Sequence, residues 1–460
     1  MTIVSDSQGL LSALKVAQSG DTIQLSAGTY GQLTLNNVNF AGGVRITSVD
    51  PGNPAVIDGI VIKNSSGLSF DHLDVLNNKA MFGSISAVGS KNLSFDNLEL
   101  IGSDARTGNA VFLNSTSNVK VTNTDIHGYE NGISHLKSAH LNFSNNTIHN
   151  IAVDGIRGGG SSYVTIDSNY FTDFHQIQYA HNDAIQFWTT NTTTTSHDLV
   201  ITNNTFVRGS GDVLQGIFMN NENGIPYENV TISGNAMIGG AYHGIMVEKA
   251  INLTVEDNLI VGYKDMVSWI QVKNSTNVTI EDNTATSYIV QNNTNIANSN
   301  NTTIPQPTIG DLSTFNNWSL AQAGGSADVL SGKGAADPST STWRQLTGTS
   351  GRDVFEIGSP STSAAVIVDF TSGEDVLDLR PLLAAFHEGD PVADGWVRFT
   401  LDAKGTTVWV DTDGGGDKFV AVAKLANFAE ELAAGVDWLP AGITSQPYVM
   451  PLNDVEGRGF

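Results

Sequence analysis

The amino-acid sequence predicts an all-β fold built as a solenoid, in which successive turns of chain stack along one axis. Segments of alternating apolar residues, each leading to a turn residue, start 22, 23, 35, 31, 23 and 25 residues apart. A period of about 20–30 residues is typical of solenoids, whose repeats bury their apolar faces against one another. Abundant Gly (47 residues) and few charged residues (15%) favour short strands and tight turns over helices. The segments are Val119–Ile126, Leu141–Ile148, Val164–Phe171, Leu199–Phe206, Val230–Met237, Leu253–Ile260 and Val278–Ala285.

Composition and charge limit the partners and the compartment. The net charge of −24 argues against nucleic acid and anionic lipid, and no apolar run approaches the roughly 18 residues of a membrane span. The first residues have neither a basic nor an apolar signal region, so export by a cleavable signal is not expected. The chain has no Cys, so disulfides cannot stabilise it.

The N-terminal segment is predicted to be a helix that covers the first turn of the solenoid. Apolar residues of the segment 7–17 recur at helical spacing, with a Ser as the expected N-cap. A solenoid requires such a cap because its first turn would otherwise expose its apolar core.

A resemblance becomes specific after this helix. The segments GDTIQLSAGTY (20–30), VRITSVDPGNPAVIDG (44–59) and LSFDHLDV (68–75) resemble the start of right-handed parallel β-helix polysaccharide lyases of the alginate lyase and chondroitinase B kind. The resemblance covers roughly residues 1–300 and implies a right-handed parallel β-helix that acts on a polysaccharide. Pectinases, alginate epimerases and phage depolymerases share this fold, so the resemblance is more specific for the fold than for the reaction.

One Asn in each repeat falls in a column. Amide side chains stacked at strand spacing can hydrogen-bond along the solenoid axis, so this column is predicted to be a structural ladder. Its members are Asn146, Asn169, Asn204, Asn235, Asn258 and Asn283.

Each repeat also carries a second strand with a Gly-Ile pair or a variant of it. With the Ile directed inward, period-two alternation places two rows of side chains on the outer face, and an edge column just ahead of the strands. The first row is Ser134, Arg157, Gln186, Phe218, Met246 and Gln271. The second row is Leu136, Gly159, Trp188, Asn220, Glu248 and Lys273. The edge column is Asn131, Asp154, Asp183, Gln215, His243 and Ser268.

Three insertions interrupt the repeats and locate the predicted cleft. They are Thr172–Asn182, Asn191–His197 and Asn221–Glu228. Loops added to a solenoid usually build its binding face, so we expect them to wall the surface formed by the neighbouring second strands. A walled groove of this kind suits an extended polymer.

The leading hypothesis is β-elimination from a uronic-acid-containing polysaccharide, such as a bacterial exopolysaccharide, glucuronan or alginate. This reaction requires a group that neutralises the carboxylate, a base for the C5 proton and an acid for the leaving O4. Arg157 on the cleft floor is predicted to bind the carboxylate, although an ion pair with a neighbouring Asp would explain it equally simply. The candidate bases are His181, His243 and Lys249, and the candidate acids are Tyr179 and Tyr242. The candidate substrate-binding residues are Gln186, Trp188, Gln215, Asn220 and Lys273.

The edge column brings carboxylates together. Asp154 and Asp183 at strand spacing repel each other unless a cation or substrate lies between them, so calcium is the candidate cofactor there. Trp188 on the outer face is expected to stack on a sugar ring or to lie beneath the loop 191–197.

Two other classes of function fit parts of the pattern. A glycoside hydrolase would use paired carboxylates among Asp154, Asp183, Asp212 and Glu248. A non-catalytic polysaccharide-binding or biofilm-matrix protein is the other class, and a C5 epimerase is chemically close to the lyase.

The C-terminal part is predicted to be a separate small β domain. Residues 301–339 are interpreted as a linker and residues 340–460 as the domain, which contains LTGTSGRDVFEI and TTVWVDTDGGGDKFVAVAKLANF. These segments resemble the calcium-binding secretion regions of serralysin-like proteins exported by type I secretion, without the full glycine-rich repeat array. The resemblance implies an extracellular protein, a type I secretion apparatus as partner and a secretion tail at 454–460. Calcium is expected at Asp411, Asp413 and Asp417, because carboxylates are the hard oxygen ligands that calcium prefers. The pairing of both parts is similar to rhizobial secreted exopolysaccharide-cleaving proteins.

Overall fold

A computed structural model shows two compact units, Met1–Ile309 and Gly310–Phe460. The first unit is a parallel β-solenoid of about 11 turns, as the repeats predict, and the second contains small β-sheets. In the first unit the structure describes residues 2–76, 82–103, 105–177, 181–209 and 211–309. In the second it describes residues 343–346, 354–357, 364–367, 370, 375–379, 382–383, 386, 391–392, 394–402, 405–412, 418–426, 428, 432 and 438–439.

Parallel strands of the solenoid form two sheets of 23 and 11 strands. The strands of the 23-stranded sheet are Thr2–Val4, Thr22–Leu25, Thr29–Tyr30, Asn39–Ser48, Ala55–Ile57, Ser66–Leu76, Lys91–Ile101, Ser117–Thr122, Asp125–His127, Ala139–Ser144, Thr147–His149, Ser162–Asp167, Tyr170–Thr172, His197–Thr202, Thr205–Val207, Tyr227–Ser233, Ala236–Ile238, Ala250–Glu256, Leu259–Val261, Thr276–Glu281, Thr284–Ala285, Thr294–Ser299 and Thr302–Thr303. The strands of the 11-stranded sheet are Leu33–Asn36, Ile60–Lys63, Ile85–Val88, Asn109–Asn114, Asn131–Leu136, Asp154–Gly159, Asp183–Trp188, Gln215–Met219, Tyr242–Glu248, Ser268–Lys273 and Tyr288–Gln291.

The interior of the solenoid is filled by every second residue of these strands. Val164 pairs with Leu141 on one side and with Leu199 on the other, so like residues stack on like. Aromatic rings follow the same rule, with centroids 5.2 Å apart for Phe171 and Phe206. Each fully buried side chain of this size contributes about 1.5–3 kcal/mol, which makes stacked repeats stable where one repeat is not.

The predicted helix covers the N-terminal end. It spans Ser7–Val16 and buries Leu10, Ala13 and Leu14. The N-cap is Asp6 rather than a Ser, because its Oδ1 accepts a 2.7 Å hydrogen bond from the Gly9 amide. No helix in the described part of the chain is long and apolar enough to span a membrane.

The Asn ladder is confirmed and extends further than predicted, to Asn301. Each Nδ2 from Asn146 onward donates to Oδ1 of the next Asn at 2.9–3.0 Å. The same Oδ1 atoms also accept backbone N–H groups, as Asn235 Oδ1 does from Asn204 at 3.0 Å. The ladder therefore satisfies buried polar groups at each turn, which is a structural role.

The second unit contains a five-stranded and a three-stranded sheet, in agreement with the predicted C-terminal β domain. The first sheet is Trp343–Leu346, Ala364–Ile367, Val420–Ala426, Gly405–Val410 and Val397–Asp402. The second is Val354–Glu356, Val376–Asp378 and Trp438–Leu439. Of the predicted calcium ligands, Asp411 is buried and accepts a 3.1 Å hydrogen bond from the Lys418 amide. Asp413, Asp417, the segment 310–339 and the tail 454–460 lie outside the described residues, so the export prediction remains a prediction. Residues 301–309 of the predicted linker 301–339 belong instead to the first unit, because Thr302–Thr303 is a strand of the 23-stranded sheet.

Candidate functional site

The edge column of the 11-stranded sheet places two carboxyl groups side by side. Asp154 pairs in register with Asp183, and Asp183 with Gln215, so consecutive members are about 4.8 Å apart along the sheet. The Asp154 and Asp183 side chains are only 2% and 0% exposed. The solenoid thus holds a buried carboxyl pair at the strand edge that the sequence predicted.

Three longer side chains cover this pair. Arg157 Nη1 donates to Asp154 Oδ2 at 3.1 Å, and Gln186 Nε2 donates to Asp183 Oδ2 at 2.7 Å. Nδ1 of His181 lies 3.0 Å from the same Asp183 oxygen. The Arg157 and His181 side chains are 32% and 56% exposed. The groups that face solvent are therefore a guanidinium and an imidazole, supported from below by carboxylates.

Charge at the pair is poorly compensated. Burial raises the pKa of Asp154, and the charge of Asp183 raises it further. Burial also raises the pKa of Asp183, whereas the hydrogen bond from His181 lowers it. The same hydrogen bond raises the pKa of His181. The Arg157 guanidinium lowers the pKa of Asp154 but offsets only part of these effects, so one negative charge is favoured over two unless a further cation joins the pair.

Three oxygens of this column are buried and have no hydrogen-bond partner among the described residues. They are Oδ1 of Asp154, Oδ1 of Asp183 and Oε1 of Gln215. Hard oxygen atoms of this kind are the ligands that calcium prefers, so the donor set fits the predicted cation. Within the described residues no group of three or more His, Cys, Asp or Glu side chains is arranged to hold a metal, so the amide would have to contribute.

His243 lies on the C-terminal side of this cluster. Phe218 separates it from His181, with ring centroids 5.1 Å from His243 and 5.7 Å from His181. Trp269 Nε1 donates to His243 Nδ1 at 3.2 Å. Burial, followed by the charges of Lys273 and His181, lowers the pKa of His243 to about 4. The neutral ring therefore carries its proton on Nε2 and presents a donor.

The register around His243 differs from the predicted one. Pairing shifts between His243 and Ile245, so that Tyr242 faces Ser268 and His243 faces Trp269. The sequence alignment of His243 with Ser268 was therefore wrong by one residue. A β-bulge of this kind re-aims side chains, and here it brings the indole against the imidazole.

Trp188 packs against Arg157. The Arg157 Cζ atom lies 5.7 Å from the centre of the Trp188 ring. A Cβ atom on Gly159 would come within 2.8 Å of the Trp188 indole nitrogen, so only Gly leaves room for the ring. Ser134 Oγ accepts a 3.3 Å hydrogen bond from Arg157 Nε. Trp188, Ser134 and Asp154 thus hold the Arg157 guanidinium from several sides. The sequence did not predict this contact of Trp188 with Arg157.

The remaining predicted residues divide into those near the cluster and those outside it. Tyr242 is 47% exposed, and its ring lies 5.5 Å from that of Trp269. Lys273 is near enough to His243 to affect its pKa and pairs with Glu248 at 3.2 Å.

Other candidates lie apart from the carboxyl pair. Lys249 follows the far end of the strand Tyr242–Glu248, about 20 Å along the strand from His243, with its ammonium beside Gly224. Asn220 donates to Glu222 at 3.2 Å. Tyr179 lies outside the described residues.

Two of the insertion loops are bound to each other. Asn223 Nδ2 donates to the carbonyls of Thr189 and Thr192 at 2.6 and 3.0 Å. Glu222 Oε2 accepts from the Thr189 amide at 2.9 Å. The loops beside the second outward row are therefore ordered by specific contacts, which preorganises that side of the candidate site.

Sequence reasoning missed the supporting roles of Phe218 and Trp269. Alternation placed Phe218 in the correct outward row, and pairing with Gln186 and Met246 confirms that position. Its contact with two imidazoles has no signal in the row itself, because its row neighbours are Gln186 and Met246. The Trp269 contact was not predictable either, because it depends on the bulge.

Known proteins resemble the chain at the level of fold. The family model described as "Right handed beta helix region" matches residues 109–262. The first unit is a right-handed parallel β-helix. No curated protein matches the chain in sequence.

Three solved structures are similar to the chain at low sequence identity. An alginate lyase from Paenibacillus sp. str. FPU-7 is 17% identical, with a TM-score of 0.38, over 65% of this chain and 98% of that one. PfbA, a surface adhesin of Streptococcus pneumoniae, is 14% identical, with a TM-score of 0.43, over 63% and 86%. The catalytic domain of a GH87 alpha-1,3-glucanase is 14% identical, with a TM-score of 0.37, over 65% and 67%. Likeness at this level does not select a reaction.

Proposed function

We propose that the β-helix unit is a lyase that cleaves a uronic-acid-containing polysaccharide by β-elimination. The observation that carries this proposal is the layering of the site. Asp154 and Asp183 are buried, whereas Arg157 and His181, which they hold, reach solvent. A substrate on this face meets a cation and an imidazole, which are the groups that β-elimination requires.

Arg157 binds the uronate carboxylate in this proposal. Its Nε and Nη1 donate to Ser134 and Asp154, and no hydrogen bond to a described residue occupies Nη2. A guanidinium held in this way is preorganised for a carboxylate. Neutralising the carboxylate acidifies the C5 proton, because the charge that develops on elimination is then stabilised.

His181 is the base. Its Nδ1 faces Asp183, which orients the ring and stabilises the imidazolium, and Nε2 accepts the C5 proton. The C5–H electrons form the C4–C5 double bond as the C4–O4 bond breaks. His243 is less suited to this step because its Nδ1 already accepts a hydrogen bond from Trp269 Nε1.

Protonation of the leaving O4 falls to Tyr242 among the described candidates. Its side chain is 47% exposed and stands next to His243 in the chain. His243 donates a hydrogen bond from Nε2 to a substrate oxygen, since it is neutral near pH 7. The acid and the base therefore approach from the two sides of Phe218.

Hydrolysis by paired carboxylates has less support. It requires two carboxyl groups that reach the glycosidic oxygen and a water or the anomeric carbon. Asp154 and Asp183 lie beneath other side chains, Glu248 pairs with Lys273, and Asp212 accepts a 2.8 Å hydrogen bond from the Gln176 amide.

Calcium and export belong to the same proposal. Asp154, Asp183 and Gln215 would hold the ion, which would supply positive charge against the uronate carboxylate. The acidic second unit, with its resemblance to type I secretion regions, supports export to a calcium-containing exterior and an extracellular polysaccharide as partner.

The test is turnover of several uronate polymers by matched variants. We expect His181→Ala and Arg157→Ala to lose formation of unsaturated uronate, followed by ultraviolet absorbance. His140→Ala is the control, since His140 is an exposed imidazole on the 23-stranded sheet. Equal rates in all three variants would contradict the assigned site.

A further inference from the structure

We propose that Phe82 and Phe112 form a sugar-stacking subsite on the N-terminal side of Arg157, so that the polymer lies along the solenoid axis. This inference rests on the proposed function, because it concerns the same substrate on the same face. Nothing in the reaction chemistry requires these rings, and their place on the sheet suggests what they bind.

The two rings form a stacked pair at the surface. Their centroids are 5.3 Å apart and their planes are inclined by 24°, which is a stacked arrangement. Phe82 is 47% exposed, although a large apolar ring is normally buried. Phe112 is half-buried, so the pair presents one exposed and one partly exposed ring beside polar side chains, as ligand-binding grooves do.

Register places the pair in line with the candidate site. Phe112 pairs with Ser134, and Ser134 pairs with Arg157, so Phe112 lies two strand spacings from Arg157 in the same outward row. This separation is about 10 Å, roughly two pyranose residues of a chain running along the axis. A polymer bound at Arg157 therefore reaches the rings without bending.

A chain of hydrogen bonds connects the rings to the guanidinium. Arg157 Nε donates to Ser134 Oγ at 3.3 Å, and Ser134 Oγ donates to Asn109 Oδ1 at 2.7 Å. Asn109 Nδ2 then donates to the Phe82 carbonyl at 2.7 Å. The polar groups between Arg157 and the two rings, here called the lane, thus satisfy one another's hydrogen bonds. These bonds fix the position of the Phe82 and Phe112 rings relative to Arg157.

The charge of the lane suits a polyanion. The chain carries a net charge of −24, which would repel a uronate polymer over most of its surface. The outward row here is Ser86, Phe112, Ser134 and Arg157, which contains no acidic residue. Its two Ser side chains are buried, so the Phe112 ring and the Arg157 guanidinium form its surface. A pyranose can lay its C–H face on a ring in this lane while its carboxylate remains in solvent.

Binding by Phe82→Ala and Phe112→Ala tests the subsite, with Tyr163→Ala as the matched control. Tyr163 is 46% exposed and stacks on His140 on the other sheet. The Tyr163→Ala variant therefore removes a similarly exposed ring that lies away from the proposed subsite. In a His181→Ala background, which prevents cleavage, we expect each Phe variant to weaken polymer binding about 5- to 10-fold. Unchanged melting temperatures would show that the fold is intact.

The outcomes separate this inference from the lyase proposal. Tight binding by both Phe variants, equal to that of Tyr163→Ala, would overturn the subsite even if the wild-type protein cleaves the polymer. Weakened binding without any unsaturated product from the wild-type protein would support the subsite and remove the lyase. Without the His181→Ala background, each Phe variant should have a lower kcat/KM than the wild type on the polymer. The two should have equal kcat/KM on the shortest oligosaccharide that is cleaved, because it is too short to reach the rings.

Discussion

Replacement of His135 by Leu should make the β-helix more resistant to acid. His135 is 0% exposed, and its ring lies 5.6 Å from Phe143 and 5.5 Å from Phe187. Neither ring nitrogen has a hydrogen-bond partner among the described residues. A Cβ on Gly158 would come within 2.0 Å of the ring, so the imidazole fills its space completely.

The size of the effect follows from the pKa of this residue. Burial lowers the pKa of His135 to about 3, against about 6.5 in the unfolded chain. Between these values the unfolded state binds a proton that the folded state cannot, so stability falls as the pH drops below about 6.5. Near pH 5 the loss is about 2 kcal/mol, at 1.36 kcal/mol for each of about 1.5 pH units.

Hydrogen exchange on peptides of the strand Asn131–Leu136 can report the free energy of unfolding of this unit at two pH values. His135→Leu should already be more stable near pH 7.5, because it removes two unpaired polar atoms. The gap between variant and wild type should widen by about 2 kcal/mol near pH 5. A gap that does not change with pH would refute this reasoning.

Four further outcomes are expected. His181→Gln should lower kcat by at least about 10²-fold in steady-state assays, since a positioned base is lost; a small change would remove His181 as the base. Trp269→Phe should lower kcat about 10-fold with KM nearly unchanged, because the His243 tautomer is no longer fixed; an unaltered kcat would refute this positioning role. Asn204→Ala should cost about 2–3 kcal/mol in denaturant unfolding, whereas Ser299→Ala, which loses one exposed hydrogen bond, should cost under about 0.5 kcal/mol. Calcium added after chelation should raise the melting temperature of the wild type by more than that of Asp183→Asn; equal shifts would place the ion elsewhere.

The fold was predictable because the residues that face inward recur with the period of the solenoid. Alternation around Val164 and the repeated Asn169 amide determine which residues stack, and the structure reproduces this register. Period-two counting then placed Arg157, Gln186 and Phe218 in one row correctly.

The details of the site were not predictable by counting. Trp188 turns toward Arg157 because Gly159 leaves space, and side-chain direction is not encoded in the period. His243 departs from its row because of a bulge. The assignment of Lys249 to the cluster failed for a related reason, since a residue that follows the end of a strand lies far from its beginning.

The mass of the products tests the central claim most directly. Wild-type protein would be incubated with a series of uronate polymers, and the oligosaccharides would be analysed by mass spectrometry. Elimination predicts new ends that are unsaturated and lighter by one water than those of hydrolysis, with ultraviolet absorbance rising together with reducing ends. Products that have gained a water, with reducing ends rising and no absorbance, would contradict the account.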